Sequence, residues 1–156
     1  MNGTKSTQYS LASFKSKYLK TIRPSKSNIF GIQDRIGLPS LTRLRVNFSD
    51  LREHRFDHRF NCPNPLCKCS IENESTDHFL LRCPIYSTTR QTLLSNLAIA
   101  VNDEILNLPH DHLTSILLYG SNSFNLITNK TIVTITIHFI KASGRFNKIE
   151  AYSQKE

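Results

Sequence analysis

Three of the four cysteines and one of the six histidines fall in the stretch CKCSIENESTDHFLLRC, from Cys67 to Cys83. Four such side chains can close one tetrahedral metal site, and a chain that does so must bring both ends of this stretch together. The order is Cys67, one residue, Cys69, eight residues, His78, four residues, Cys83. A close pair, a loop and a returning pair is how a single chain wraps around one ion, and zinc is the ion that prefers this donor set. His78 and Cys83 flank a segment with helical character, so both can face the metal while Phe79 and Leu80 enter a core. Pro84 ends or bends that segment. The one-residue gap of the first pair is tighter than the usual two, and Cys62 is near enough in sequence to substitute for Cys67 or Cys69. Two other readings stand beside the metal. The residues can be buried free thiols around a core histidine, or a disulfide framework, which the lack of a secretion signal disfavours.

The balance of charge points to a partner. Lys+Arg number 20 against 12 Asp+Glu, a formal net charge of +8, and the pI is near 9.5. Such a chain suits an anionic partner, of which nucleic acid is the commonest, although charge alone is also compatible with a basic protein that has no specific partner. The opening MNGTKSTQYSLASFKSKYLK carries no apolar run of signal-peptide length, and no stretch is apolar enough to span a membrane. The expectation is an intracellular, soluble protein. On that expectation the N-x-S/T triplets at Asn2, Asn47, Asn73 and Asn129 are chance matches.

Periodicity supplies the elements. Leu11, Phe14 and Tyr18 predict a helix over Tyr9–Ile22, stopped by Pro24. In IFGIQDRIGLPS two glycines and a proline predict turns or irregular structure. Leu41, Leu44, Phe48 and Leu51 predict that LTRLRVNFSDLREHRF is helical with a break at Asn47–Asp50. Ser49 or Asp50 would cap the second part, with Glu53 completing a capping box from Asp50. TTRQTLLSNLAIAV is an amphipathic helix with Leu93, Leu94, Leu97, Ala98 and Val101 on one face. HLTSILLYG is a short helix over Leu113, Ile116 and Leu117, stopped by Gly120. In NKTIVTITIHFIKASGRF, Val133, Ile135, Ile137 and Phe139 alternate with polar residues like a strand. Ile132, Thr136, Phe139, Ile140 and Ser143 also fit one helical face, so local propensity favours a strand without excluding a helix.

Arginines crowd the lead-in to the cysteines, at Arg35, Arg43, Arg45, Arg52, Arg55 and Arg59. On a continuous helix Arg52, Arg55 and Arg59 share a face, and guanidinium forks suit phosphates. The competing reading is a solvated face balanced by Asp50, Glu53 and Asp57. Phe56, Phe60 and Tyr86 can stack on bases, but packing in a small core is the expectation. His54 and His58 lie four apart, but Arg55 stands where a zinc protease needs glutamate, so they are expected at the surface or an interface. His110 and His112 flank Asp111 in a proline-containing loop and carry little weight.

Taken together, IFGIQDRIGLPSLTRLRVNFSDLREHRFDHRF and NPLCKCSIENESTDHFLLRCPIY resemble the region downstream of the polymerase in non-LTR (LINE-type) retrotransposon reverse transcriptases. In those proteins an arginine-rich lead-in precedes a Cys-Cys-His-Cys knuckle. The chain matches that knuckle at Cys67, Cys69, Glu74, Ser75, Thr76, His78, Phe79, Leu80, Leu81 and Cys83. The later LLYG and FIKASGRF resemble the ends of such reading frames. Family members often carry glycine where this chain has Ser70, and Cys62 lies outside the pattern. The resemblance implies a mostly α fold, a small helical domain built around the zinc knuckle with an irregular Arg-rich lead-in. It implies zinc held by Cys67, Cys69, His78 and Cys83, and Arg43, Arg45, Arg52, Arg55 and Arg59 contacting RNA or DNA, beside the polymerase part of a retroelement protein. It also implies a helix over 127–142, because a lone strand would have no partner. The expected divisions are 1–23, an N-terminal polar segment and helix; 24–60, the Arg-rich linker and helices; 61–85, the knuckle; 86–146, C-terminal helices; and 147–156, a flexible tail. No Tyr-x-Asp-Asp or Phe-x-Asp-Asp motif occurs, so the chain is expected not to be an enzyme by itself. It would be a C-terminal fragment, or a remnant of such an element.

Overall fold

A computed structural model describes residues 31–147. The helix expected over Tyr9–Ile22 and the tail beyond Asn147 lie outside them. The described residues are mostly helical, and their only β pairing is an isolated bridge between Leu66 and Asn73. No described helix is long and apolar enough to cross a membrane.

Helix α1, Gly37–Arg45, begins inside the stretch expected to be irregular. Asp34 Oδ1 accepts from the backbone N–H groups of Ile36 (3.0 Å) and Gly37 (2.6 Å) at the helix start. Pro39 falls in the first turn, where a missing N–H costs no intrahelical bond. A Cβ on Gly37 would lie 2.5 Å from Ile137 Cγ2, so only glycine permits this contact. Leu41 and Leu44 are buried as expected. Phe48 is not: Asn47 takes a left-handed φ of 52°, ending the helical register, and leaves Phe48 50% exposed.

Helix α2, Arg52–Asp57, follows the expected break. Its capping differs from the expected box. Glu74 Oε2 accepts from the Arg52 N–H (2.8 Å), while Ser49 Oγ accepts from Leu51 N–H (3.2 Å). A carboxylate from 22 residues downstream thus serves the helix start in place of Asp50.

Helices α3 (Ser87–Ala100), α4 (His110–Tyr119) and α5 (Leu126–Ala142) complete the fold. Leu93 and Leu97 anchor α3, Leu113, Leu117 and Leu118 anchor α4, and Gly120 stops α4 at a φ of 75°. Helix α5 is the segment whose alternation favoured a strand. It packs on α1, α3 and α4, and buries Ile132, Val133, Ile135, Thr136, Ile137, Phe139 and Ile140. An element covered on several sides reads apolar almost all round, which in β-branched residues imitates strand alternation. Thr131, Thr134 and Thr136 satisfy their hydroxyls on the carbonyls of Ile127, Lys130 and Ile132, one turn back. Asn125 Oδ1 caps the helix at Thr128 N–H (2.8 Å).

One apolar core joins α1, α3, α4 and α5 to Phe79 and Leu80 of the cysteine-rich stretch. Phe79 is its pivot, with ring centroids 5.1 Å from Tyr86, 5.3 Å from Phe139 and 5.4 Å from Phe146. The loop that carries the cysteines is therefore seated on the helical core.

Candidate metal centre

The first ligand pair sits on a tight loop. Leu66 and Asn73 bridge, Cys67 N–H donates to Glu72 C=O (2.9 Å), and Glu74 N–H donates to Pro65 C=O (2.9 Å). Ser70 N–H donates to Cys67 C=O (2.9 Å), closing the turn with Ser70 at a left-handed φ of 63°. Only glycine adopts that φ without a Cβ penalty, so Ser70 holds the turn at a conformational cost.

The second pair is set by a widened turn. His78–Arg82 form a π-helical turn, closed by Cys83 N–H donating to His78 C=O (2.7 Å). In an α-helix, positions five apart differ by about 140° around the axis. The i→i+5 turn brings His78 and Cys83 back toward one side. Cys83 then takes an extended ψ of 122°, as a residue before proline must. The carbonyls released by this geometry are met by Arg90 of α3. Its Nε donates to Leu80 C=O (2.9 Å) and its Nη2 to Cys83 C=O (2.6 Å). Periodicity places this buried arginine in a helix and no more, because its partners are backbone carbonyls.

The four ligand atoms converge. Cys67 Sγ lies 3.8 Å from Cys83 Sγ, Cys69 Sγ lies 3.2 Å from His78 Nε2, and all four atoms fall within 4.8 Å of one another. Tetrahedral zinc with ordinary bond lengths has ligand–ligand edges of about 3.6–3.8 Å. The cluster matches one edge and needs sub-ångström to roughly ångström adjustments at others. These residues could therefore hold one metal ion. Cys62 is excluded by geometry. Its thiol donates to the carbonyls of Asn64 (3.2 Å) and Arg52 (3.6 Å) instead.

Glu72 Oε1 stands 2.8 Å from His78 Nδ1 on an oblique approach that leaves Nδ1 without a well-directed hydrogen bond. The carboxylate beside Nδ1 favours a proton there and leaves Nε2 free as a ligand, the arrangement typical of metal-bound histidine. Arg82 holds the same carboxylate through Nε and Nη2, both at 2.9 Å. Arg82 first, and then His78, hold Glu72 down to about 2. Burial pushes the Cys67 thiol up to about 12 and also raises Cys83. Burial acts to raise Cys69 as well, but the Ile71 N–H, Cys67 and His78 outweigh it and bring that thiol down to about 7. Three thiols this close cannot all ionise without a cation among them, so metal uptake must expel protons.

Two charged residues absent from the sequence-derived site hold the loop to the fold. Glu74 is 2% exposed and receives Arg145 Nε (2.6 Å), Arg145 Nη2 (2.7 Å) and the Arg52 N–H. Arg145 Nη2 also donates to Asp50 C=O (2.7 Å). Both lie in the motifs that carry the family resemblance, which was the available signal. His54 is a correction. It is buried, with Nδ1 2.8 Å from Ser49 Oγ and Nε2 3.2 Å from Thr76 Oγ1, and burial drives it down to about 4. His58 is exposed, its Nε2 2.9 Å from the Asn47 carbonyl oxygen.

The five expected nucleic-acid arginines do not form one face. Arg45 is half-buried, its Nε donating to Leu118 C=O (2.6 Å) with the guanidinium 5.6 Å from the Tyr119 ring centre. Arg52 is bound to Asn64. Arg59 lies beyond the end of α2 at a φ of 58°, so it cannot share a helical face with Arg52 and Arg55. Arg43, Arg55 and Arg59 are exposed. Phe56 and Phe60, expected in a core, are also exposed, whereas Tyr86 is packed on Phe79.

No protein-family model, curated protein or solved structure matches the chain. Fold and site define a mostly helical domain with a three-cysteine, one-histidine cluster, buried except for the half-buried Cys69, able to hold a metal ion.

Proposed function

We propose that the chain is a zinc-stabilised nucleic-acid-binding module, equivalent to the C-terminal region of a LINE-type reverse transcriptase, which holds template RNA or target DNA beside the polymerase. The observation that carries the reading is the convergence of three thiols on His78 Nε2, with Glu72 and Arg82 behind the imidazole. Four protein ligands leave no open position, so zinc here is structural and the reading assigns the chain no catalytic step of its own. The net charge of +8 and the exposed Arg43, Arg55 and Arg59 support an anionic partner.

Elemental analysis of the purified chain tests the metal. About one zinc per chain, lost in Cys83→Ser, is expected; a content near zero refutes the site. A salt titration of RNA and DNA binding tests the partner. Affinity should fall steeply with salt, and a zinc-loaded chain without salt-sensitive binding refutes the nucleic-acid role. A second reading, a zinc module that docks on another protein, is favoured by the exposed Ile99 on α3 and Ile127 on α5. It predicts association that salt does not weaken.

A further inference from the structure

Just before the metal loop, the chain leaves aromatic rings in water where a core would be expected to take them. Phe48 and Phe60 are 50% and 47% exposed, and they pack on each other edge-on at 5.4 Å. His58 completes the group, 5.0 Å from Phe48 and 6.1 Å from Phe60. The His58 ring is fixed by its contact with the Asn47 carbonyl, so the group is pre-organised. Phe56, 44% exposed, is on the same turn and lines an open pocket of about 710 Å³ with Asp57, Arg59, Asn61, Cys62 and Pro63.

Exposed arginines are tied to this group through the backbone. Phe48 N–H donates to Arg43 C=O (2.9 Å), Phe60 N–H to Arg55 C=O (2.8 Å), and Arg59 N–H to Phe56 C=O (3.0 Å). The register places one exposed guanidinium-bearing residue beside each exposed phenylalanine. Arg59 and Asn47 hold this arrangement in left-handed conformations, a cost that is sustained only when the surroundings enforce it. Half-exposed aromatic rings on a short segment that also carries exposed arginines are complementary to one chemistry in particular: unpaired bases carried on a phosphate chain. A duplex hides its base faces and offers only phosphates and groove edges.

Resting on the nucleic-acid reading above, we infer that Phe48, His58 and Phe60 form a stacking platform for single-stranded nucleic acid. Phe56 and its pocket take a further base, and Arg43, Arg55 and Arg59 contact the phosphates. Single-stranded RNA and single-stranded DNA share this chemistry, and sugar contacts would distinguish them.

The test uses the zinc-loaded full chain and fluorescence anisotropy with labelled oligo(U), oligo(dT) and a duplex of the same length, about 12 nucleotides. Single strands should bind about tenfold tighter than duplex. Phe60→Leu and Phe48→Leu keep apolar volume but remove the ring, and each should lose about tenfold on single strands. Duplex affinity and zinc content should stay unchanged, and Phe60→Tyr should retain binding. Arg55→Gln and Arg59→Gln should each lower the single-strand salt slope by about 0.7. Equal affinity for single strands and duplex, with the phenylalanine variants unaffected, overturns the platform while leaving the nucleic-acid role intact. No salt-sensitive binding to any of the three probes overturns both, and leaves a protein as the occupant of this face.

Discussion

Replacing Arg145 by methionine should destabilise the domain by about 3–5 kcal/mol, the cost of leaving one member of a buried ion pair without its partner. The environment of Glu74 supports a value in that range. Its carboxylate is 2% exposed, and two of its three close donors are nitrogens of Arg145, at 2.6 and 2.7 Å. Coulomb attraction between charge centres about 4 Å apart is roughly 4 kcal/mol at an effective dielectric constant near 20. Methionine preserves much of the stem volume but removes the Asp50 carbonyl's donor as well. Burial pushes the Glu74 carboxyl up, yet Arg145, with help from Arg52, holds it below the ordinary carboxylate value. A depressed acid contributes stability above its unfolded pKa and loses it as pH falls through the folded one. Without Arg145, burial dominates, Glu74 rises above its ordinary value, and the variant suffers most at neutral pH. The gap between wild type and variant should therefore narrow on acidification. Urea unfolding of the zinc-loaded proteins, followed by circular dichroism, measures this. Adding Glu74→Gln to Arg145→Met should recover part of the loss, with a coupling of about 1–3 kcal/mol. If Arg145→Met costs no more than the exposed control Arg35→Met, or if the two substitutions are additive, Glu74 is not held as argued.

His54 gives a second pH dependence of definite sign. Its folded pKa of about 4 lies below the free value of 6.5, so the unfolded chain gains a proton first on acidification. Stability should fall by about 2 kcal/mol between pH 7.5 and 5 from this residue alone; an NMR titration midpoint near the free value would contradict it. Ser70→Gly should raise the melting temperature, because it relieves about 1 kcal/mol of left-handed strain, and a lower melting temperature would count against the turn. Glu72→Gln should weaken zinc binding about 10- to 100-fold in chelator competition by removing the carboxylate behind His78. Unchanged affinity would mean that Glu72 does not orient the imidazole.

Much of the site was legible because it is local in sequence. Cys67, Cys69, His78 and Cys83 lie in one short stretch, and their spacing marks them as a candidate group, while Cys62 remains an alternative on spacing alone and is set apart by its contacts in the fold. The apolar faces of α3 and α4 and the glycine after α4 follow from periodicity and backbone conformation, which are also local. The alternation in residues 126–142 was compatible with two structures. Burial between α1, α3 and α4 decided for the helix, since no strand is present among the described residues to pair with it. Phe48 failed for a similar reason: its spacing matched the helical face, but the chain turns at Asn47 before reaching it.

What belonged to the tertiary structure alone was the choice of partners. Glu74 serves α2 from 22 residues away and is itself met by Arg145 from 71, and Arg90 reaches back to the carbonyls of a turn that did not have to be a π turn. His54 reads as a surface histidine until packing seals it between Ser49 and Thr76. Residue types and spacing determined which groups could bind a metal or face a core. Which charge is buried, and against what, depends on segments distant in sequence meeting in space, because desolvation and charge pairing act on neighbours in the fold rather than along the chain.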